Sequence, residues 1–165
     1  MITKSSDRVA FAEVAGTGNA TVLKRMTNFT EMSTNKNPKE YTRQYVDETF
    51  ERSDIAGYSP SISYSFDYDN TNDVHKHIVN ISDNELVGDE AKMSIVVVEL
   101  DNETSTAGSF VAKKRDFYVI PDSEGGDKDF YTYGGNFKAN GGIIEGTATT
   151  TDGWQTAVFT PATTE

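Results

Sequence analysis

The chain has no cysteine, which excludes disulfides, thiolate metal sites and cysteine nucleophiles and leaves packing and assembly to stabilise its 165 residues. Histidine is nearly as scarce, with only His75 and His77. No hydrophobic run approaches the roughly 20 residues that would cross a bilayer as a helix, so no membrane span is expected. The opening stretch MITKSSDRVAFAEVAGTG is interrupted by Arg8 and Glu13 and lacks the apolar core of a secretion signal. These features predict a chain that is soluble and cytoplasmic when made, organised as a single domain over residues 1–165.

Positive charge is outnumbered over most of the chain. Residues 1–60 hold 8 Lys/Arg and 8 Asp/Glu, whereas residues 61–165 hold 7 and 18, which accounts for the whole formal net charge of -11. Nucleic-acid binding depends on cations displacing counterions from phosphate, so this balance argues against it.

What is present is mainly β. Stretches with β-branched and aromatic residues at every second position predict strands over 19–29, 61–69, 91–100, 107–120, 128–140, 142–150 and 154–161, separated by turn signals such as PDSEGGD, NGG and TDG. In SISYSFDYD the alternation places Ile62, Tyr64, Phe66 and Tyr68 on one sheet face and Ser61, Ser63, Ser65 and Asp67 on the other. Six or seven strands in this length imply a β-sandwich or a barrel-like pair of sheets. One helix is expected within NDVHKHIVNISDNELVG, capped by Asn72 or Asp73, with Val74, His77, Ile78 and Ile81 at helical spacing and Gly88 to end it.

The segment 35–57 is crowded with charges of both signs and with aromatics. A hairpin arm is the preferred reading, with Tyr41, Arg43 and Tyr45 alternating with Thr42 and Gln44, a turn over Val46 to Glu48, and a return through TFERS. A surface helix starting at Pro38 and a flexible loop are the alternatives. As an intersubunit contact, its candidate residues are Tyr41, Arg43, Tyr45, Asp47, Glu48 and Arg52.

Nothing in the sequence carries recognisable chemistry. His75 and His77 would point to opposite sides of a helix and cannot readily share a metal ion; the expected state is His77 packed beside Ile78 and His75 solvated. DYDNTND lacks the Gly and the distal Glu of a calcium loop and suits a cap and turn better. No serine sits in a Gly-x-Ser-x-Gly elbow, and the carboxylates Asp122, Glu124, Asp127 and Asp129 lie around a turn with no visible cleft. No catalytic, cofactor or metal site is therefore assigned. The basic run Lys113, Lys114 and Arg115 could form a small phosphate patch, but in an acidic chain it fits better with carboxylates of the same or a neighbouring subunit.

The order of an N-terminal strand, a charged arm at 35–57, GYSPSISYSFDYD, a short helix near NDVHKHIV and the final run YGGNFKANGGIIEGTATTTDGWQTAVFTP resembles the tail tube (major tail) proteins of tailed bacteriophages and phage-like particles. The resemblance implies a β-sandwich subunit with one flanking helix, assembled into stacked hexameric rings whose sheets line a barrel. The 35–57 arm would contact the adjacent ring, DNA would pass through an acidic lumen without specific binding, and tape-measure, baseplate and terminator proteins would be partners. It implies a virion location and no enzymatic activity. The sequence assigns no particular acidic residue to the lumen. The competing readings are another phage-like assembly component, such as a decoration, terminator or secretion-tube protein, and a monomeric β-sandwich that binds a ligand; an enzyme is a third.

Overall fold

The computed structural model describes residues 2–16, 20–126 and 128–163. Asn19, where the first predicted strand begins, and Asp127 lie outside them. The elements in chain order are β1 (Arg8–Ala15), β2 (Thr21–Arg25), β3 (Phe29–Asn35), β4 (Pro38–Arg43), β5 (Arg52–Tyr58), β6 (Ser61–Asp67), α1 (Asp73–Asp83), β7 (Lys92–Glu103), β8 (Phe110–Gly126), β9 (Tyr131–Ala139), β10 (Ile144–Thr149) and β11 (Thr156–Pro161).

Nine of the strands form one sheet in the order β10-β11-β2-β1-β7-β8-β9-β6-β3, and β10 also pairs with β8. This second pairing closes β8, β7, β1, β2, β11 and β10 into a barrel and leaves β9, β6 and β3 as an open wing. The cause is the length of β8, at 17 residues. On one side its beginning, from Phe110 to Lys114, pairs with β10, and its later part, from Phe117 to Gly126, pairs with β9. The predicted sandwich of two sheets is thus corrected to one continuous sheet, curled at one flank and shared through a single long strand.

The curl gives the chain two cores. Val9 and Phe11 of β1 point into the barrel with Val96, Val98, Ala112, Ala148 and Ala157, whereas Ala12 and Val14 point the other way, beneath α1. The register explains the division: Phe11 lies opposite Val96 and Val9 opposite Val98, while Ala12 lies opposite Ile95. Inside the barrel Gly146 lacks a side chain of necessity, because a Cβ there would come within 2.8 Å of the Phe159 ring. Fully buried Phe11, Phe66 and Phe137 anchor the two cores, each contributing roughly 1.5–3 kcal/mol by leaving water.

The segment predicted as one strand over 19–29 is divided between β2 and the start of β3, and β1 was not foreseen. Buried on both faces, β1 (RVAFAEVA) shows little polar alternation, and three of its eight residues are alanines, which are depleted in strands. The edge strand β3 is mostly exposed, so it carries little hydrophobic pattern.

Helix α1 begins as its sequence predicts: the Asn72 side chain accepts from the Val74 and His75 amides. Its end differs. Asn84 closes the helix, and Glu85, at φ 50, takes the left-handed position expected of Gly88. The Leu86 amide reaches back to the Ile81 carbonyl at 3.1 Å and the Glu85 amide to Ser82 at 3.3 Å, satisfying carbonyls that the helix leaves open. Val74, Ile78, Val79 and Ile81 then pack against the shared sheet.

Candidate assembly surfaces

Strands β4 and β5 pair only with each other, with Arg43 opposite Arg52 and Pro38 opposite Tyr58. Together they prolong the β3–β6 ribbon beyond the sheet as an arm. The junction is fixed by Asn37, a non-glycine residue at φ 45. Its side-chain amide donates to the Ser59 carbonyl at 3.0 Å and to the Ser61 hydroxyl at 3.3 Å, while the Ser59 amide donates to the Asn37 carbonyl at 3.3 Å. An asparagine tolerates this conformation better than most residues.

At the tip, the Glu48 amide donates to the Tyr45 carbonyl at 3.0 Å, closing a turn over Val46 and Asp47. The Arg52 guanidinium makes a two-pronged ion pair with the Glu48 carboxylate. The guanidinium groups of Arg43 and Arg52 lie 5.4 and 5.7 Å from the centre of the Tyr45 ring. Arg43 also donates to the Tyr41 hydroxyl at 3.1 Å. Five of the six arm residues named from the sequence, Tyr41, Arg43, Tyr45, Glu48 and Arg52, therefore form one connected cluster. Asp47 stands apart on the exposed turn. Around them Val46, Phe50, Ile55 and Tyr58 expose apolar surface.

The wing presents a second surface. Ile62, Tyr64 and Phe66 turn into the core under α1, where Tyr64 stacks on Phe137 with ring centres 4.3 Å apart. Burial and the Asp122 carboxylate push the Tyr64 phenol up to about 12. Tyr68, just beyond β6, is half-buried and meets Tyr133 edge-on. Ser61, Ser63, Ser65 and Asp67 occupy the opposite face, beside Asn136 of β9, which accepts from the Ser63 hydroxyl at 3.2 Å. On this face Glu31 and Ser33 of β3 lie opposite Ser65 and Ser63. The far edge of β3 has no strand partner among the described residues. Backbone groups along such an edge are open to another chain.

His75 is fully buried, which corrects the expectation that it is solvated. Its Nδ1 accepts from the Asp69 amide at 3.2 Å, so Nε2 carries the proton and donates to the Thr27 carbonyl at 2.9 Å. The imidazole stacks on Phe66 and is held below the usual histidine range by burial. With both nitrogens engaged it fastens the loop after β2 to the loop before α1. Asp69 closes a turn by accepting from the Thr71 amide and hydroxyl at 2.9 and 2.6 Å. Among the described residues no three His, Asp or Glu side chains are grouped to hold a metal ion, and no helix is long and apolar enough to cross a membrane.

The basic run on β8 is separated by strand alternation. Lys114 pairs with Glu13 at 3.6 Å. Lys113 and Arg115 line the opposite side of the sheet, and no ion pair engages either of them among the described residues. Alternation along β8 could have foretold this division, but the partners of each face depend on long-range pairing that the local sequence does not show.

No protein-family model matches the chain, and no curated protein matches it. Its fold is similar to a chain from the tail of an empty GTA particle determined with C6 symmetry, at TM-score 0.59 and 13% identity, over 86% of this chain and 97% of that one. It is also similar to a chain from the virion of a native gene transfer agent particle, at TM-score 0.56 and 11% identity, with coverage of 86% and 97%. The mainly β architecture with one helix that the resemblance to tail proteins implies is thus the coarse architecture the chain has, with one curled sheet in place of the implied sandwich.

Proposed function

We propose that this chain is a structural, non-enzymatic subunit of a phage-like tail tube, assembling as hexameric rings stacked around a lumen through which DNA passes. The observation that carries the reading is the incomplete sheet: one flank closes on itself, while the other ends at β3 with an edge unpaired among the described residues and a polar face on its outer side. Pairing that edge with a neighbour satisfies its backbone groups, and repetition by rotation generates a closed ring without free edges. The likeness in fold to a chain of a C6-symmetric tail supports six as the number.

In such a ring the face bearing Glu31, Ser33, Ser61, Ser63, Ser65, Asp67, Asn136 and Lys138 turns to the lumen. Its short hydroxyls and carboxylates outnumber the one lysine and offer the DNA backbone little attraction, which favours sliding over binding. The arm joins one ring to the next. Tape-measure, baseplate and terminator proteins are the partners at the tube's interior and ends, and the virion is the location.

Reversing Arg43 and Arg52 to Glu tests the arm's part in this. Both side chains are exposed, and among the described residues they pair within the arm, so the change costs under about 1 kcal/mol of subunit stability while ring stacking is lost. Unfolding of the variant at far lower denaturant than the wild type would instead give the arm a role in folding.

A further inference from the structure

The acidic chain concentrates cations at one place. A cavity of about 430 Å³ opens at the base of the arm, bordered by Arg8, Lys36, Lys113, Lys114 and Arg115, with Glu99 as the single carboxylate of its lining. Arg8 is matched by that Glu99 at 2.8 Å and Lys114 by Glu13 at 3.6 Å. Lys36, Lys113 and Arg115 remain without an ion pair among the described residues. The Arg115 Nε is buried with no hydrogen-bond partner among the described residues, a costly state for a charged group unless a partner arrives. The floor between these cations is apolar and includes Ile62, Ile95 and Phe117.

We infer that this cavity receives the arm tip of a second copy of the chain, with Asp47 and Glu51 meeting Lys36, Lys113 and Arg115 and with Phe50 on the apolar floor. The inference rests on the tube reading above, to which it adds the receptor for the arm. Charge and exposed apolar surface both point to this occupant. The tip carries two exposed carboxylates, Asp47 and Glu51, flanking exposed Val46 and Phe50, whose fractional exposures are 108% and 77%. Among the other exposed acids, Asp101 accepts from Thr3, Glu103 from the Gly108 amide and Asp152 from Thr156, whereas the exposed carboxylates of the tip stand next to an exposed aromatic ring.

The tip cannot fill its own chain's cavity. Lys36 and Pro60 at the cavity lie where the arm leaves the sheet, and six or seven paired residues carry the tip about 20 Å away. In stacked rings each copy then offers its tip to one neighbour and its cavity to another. Such a contact between unlike surfaces propagates instead of closing as a dimer, as stacking demands. Desolvated charge pairs of this kind govern dissociation more than encounter.

The absence of native cysteine makes the test clean. K113C is mixed with E51C and treated with a short bis-maleimide; K36C mixed with D47C is the second pair, and Lys76→Cys on the exposed side of α1 is the control. The expected result is a covalent dimer from each pair, at least about tenfold above the control, and a ladder of multimers when both cysteines occupy one chain. A charge exchange gives an independent readout. K36E/K113E and D47K/E51K should each raise the concentration needed for assembly about tenfold or more, and mixing the two variants should restore most of it. Rings or tubes seen without cross-linking or charge rescue would overturn the cavity assignment and leave the tube reading standing. Absence of rings and of cross-links together would overturn both. Saturation of the cavity by short duplex DNA, with loss of binding in K36E/K113E and no cross-linking between copies, would replace the arm with phosphate as its occupant.

Discussion

The imidazole of His75 donates to the Thr27 carbonyl at 2.9 Å, so a single buried ring ties the turn after β2 to the cap of α1. Because its folded-state value is lowered by burial, the unfolded chain takes up a proton first as pH falls. The stability His75 contributes is therefore fully present above the ordinary histidine value of 6.5 and is lost as pH falls through the lowered one. His77, also lowered by burial, acts with the same sign. Urea denaturation at several pH values below 6.5 should show stability declining, with a shallower decline in His75→Ala. That variant should also be less stable near neutrality by about 3 kcal/mol, through lost packing and two orphaned backbone groups. An unchanged midpoint would remove the ring from its structural role.

Glu85 follows the Asn84 cap of α1 at φ 50, where a side chain is unfavourable and glycine is not. Glu85→Gly should raise stability by about 0.5–1 kcal/mol, after allowing for the greater freedom glycine gives the unfolded chain. Thermal and urea unfolding of the two proteins measure it directly. Destabilisation would mean that the Glu85 side chain makes a contribution larger than its backbone strain.

Asn37 sets the angle between the arm and the sheet. Asn37→Ala removes two side-chain hydrogen bonds and leaves alanine at φ 45. The expected effects are about 1–2 kcal/mol of lost stability and faster amide exchange across β4 and β5 relative to β6. Asn37→Gly separates the two causes, because it keeps the backbone conformation accessible. If exchange in the arm is unchanged in both variants, the Asn37 side chain does not hold the junction.

How far the sequence reveals this architecture depends on whether the deciding contacts are local. SISYSFD reads as a strand because its alternation matches one buried and one open face, and Asn72 announces α1 because a cap acts on amides two and three residues away. The barrel closure is not legible in this way, since it depends on β8 pairing with β9 and β10 at different points along its length. The arm's composition marks its extent, but its stack of Arg43, Tyr45 and Arg52 needs the register of β4 against β5. For His75, sequence suggests solvent because neighbouring Asp73 and Lys76 are polar; the buried pairing with Thr27 spans 48 residues. The cationic cavity is assembled from six separate regions of the chain, so the run at Lys113 to Arg115 gives only part of it.

The central claim, that an open-edged subunit completes itself in a ring, is tested most directly by electron microscopy of the purified chain across a concentration series, paired with its solution mass. The account predicts sixfold annuli with a central hole, stacking into tubes as concentration rises. A monomer at every concentration, with no annuli or tubes on the grid, would contradict it.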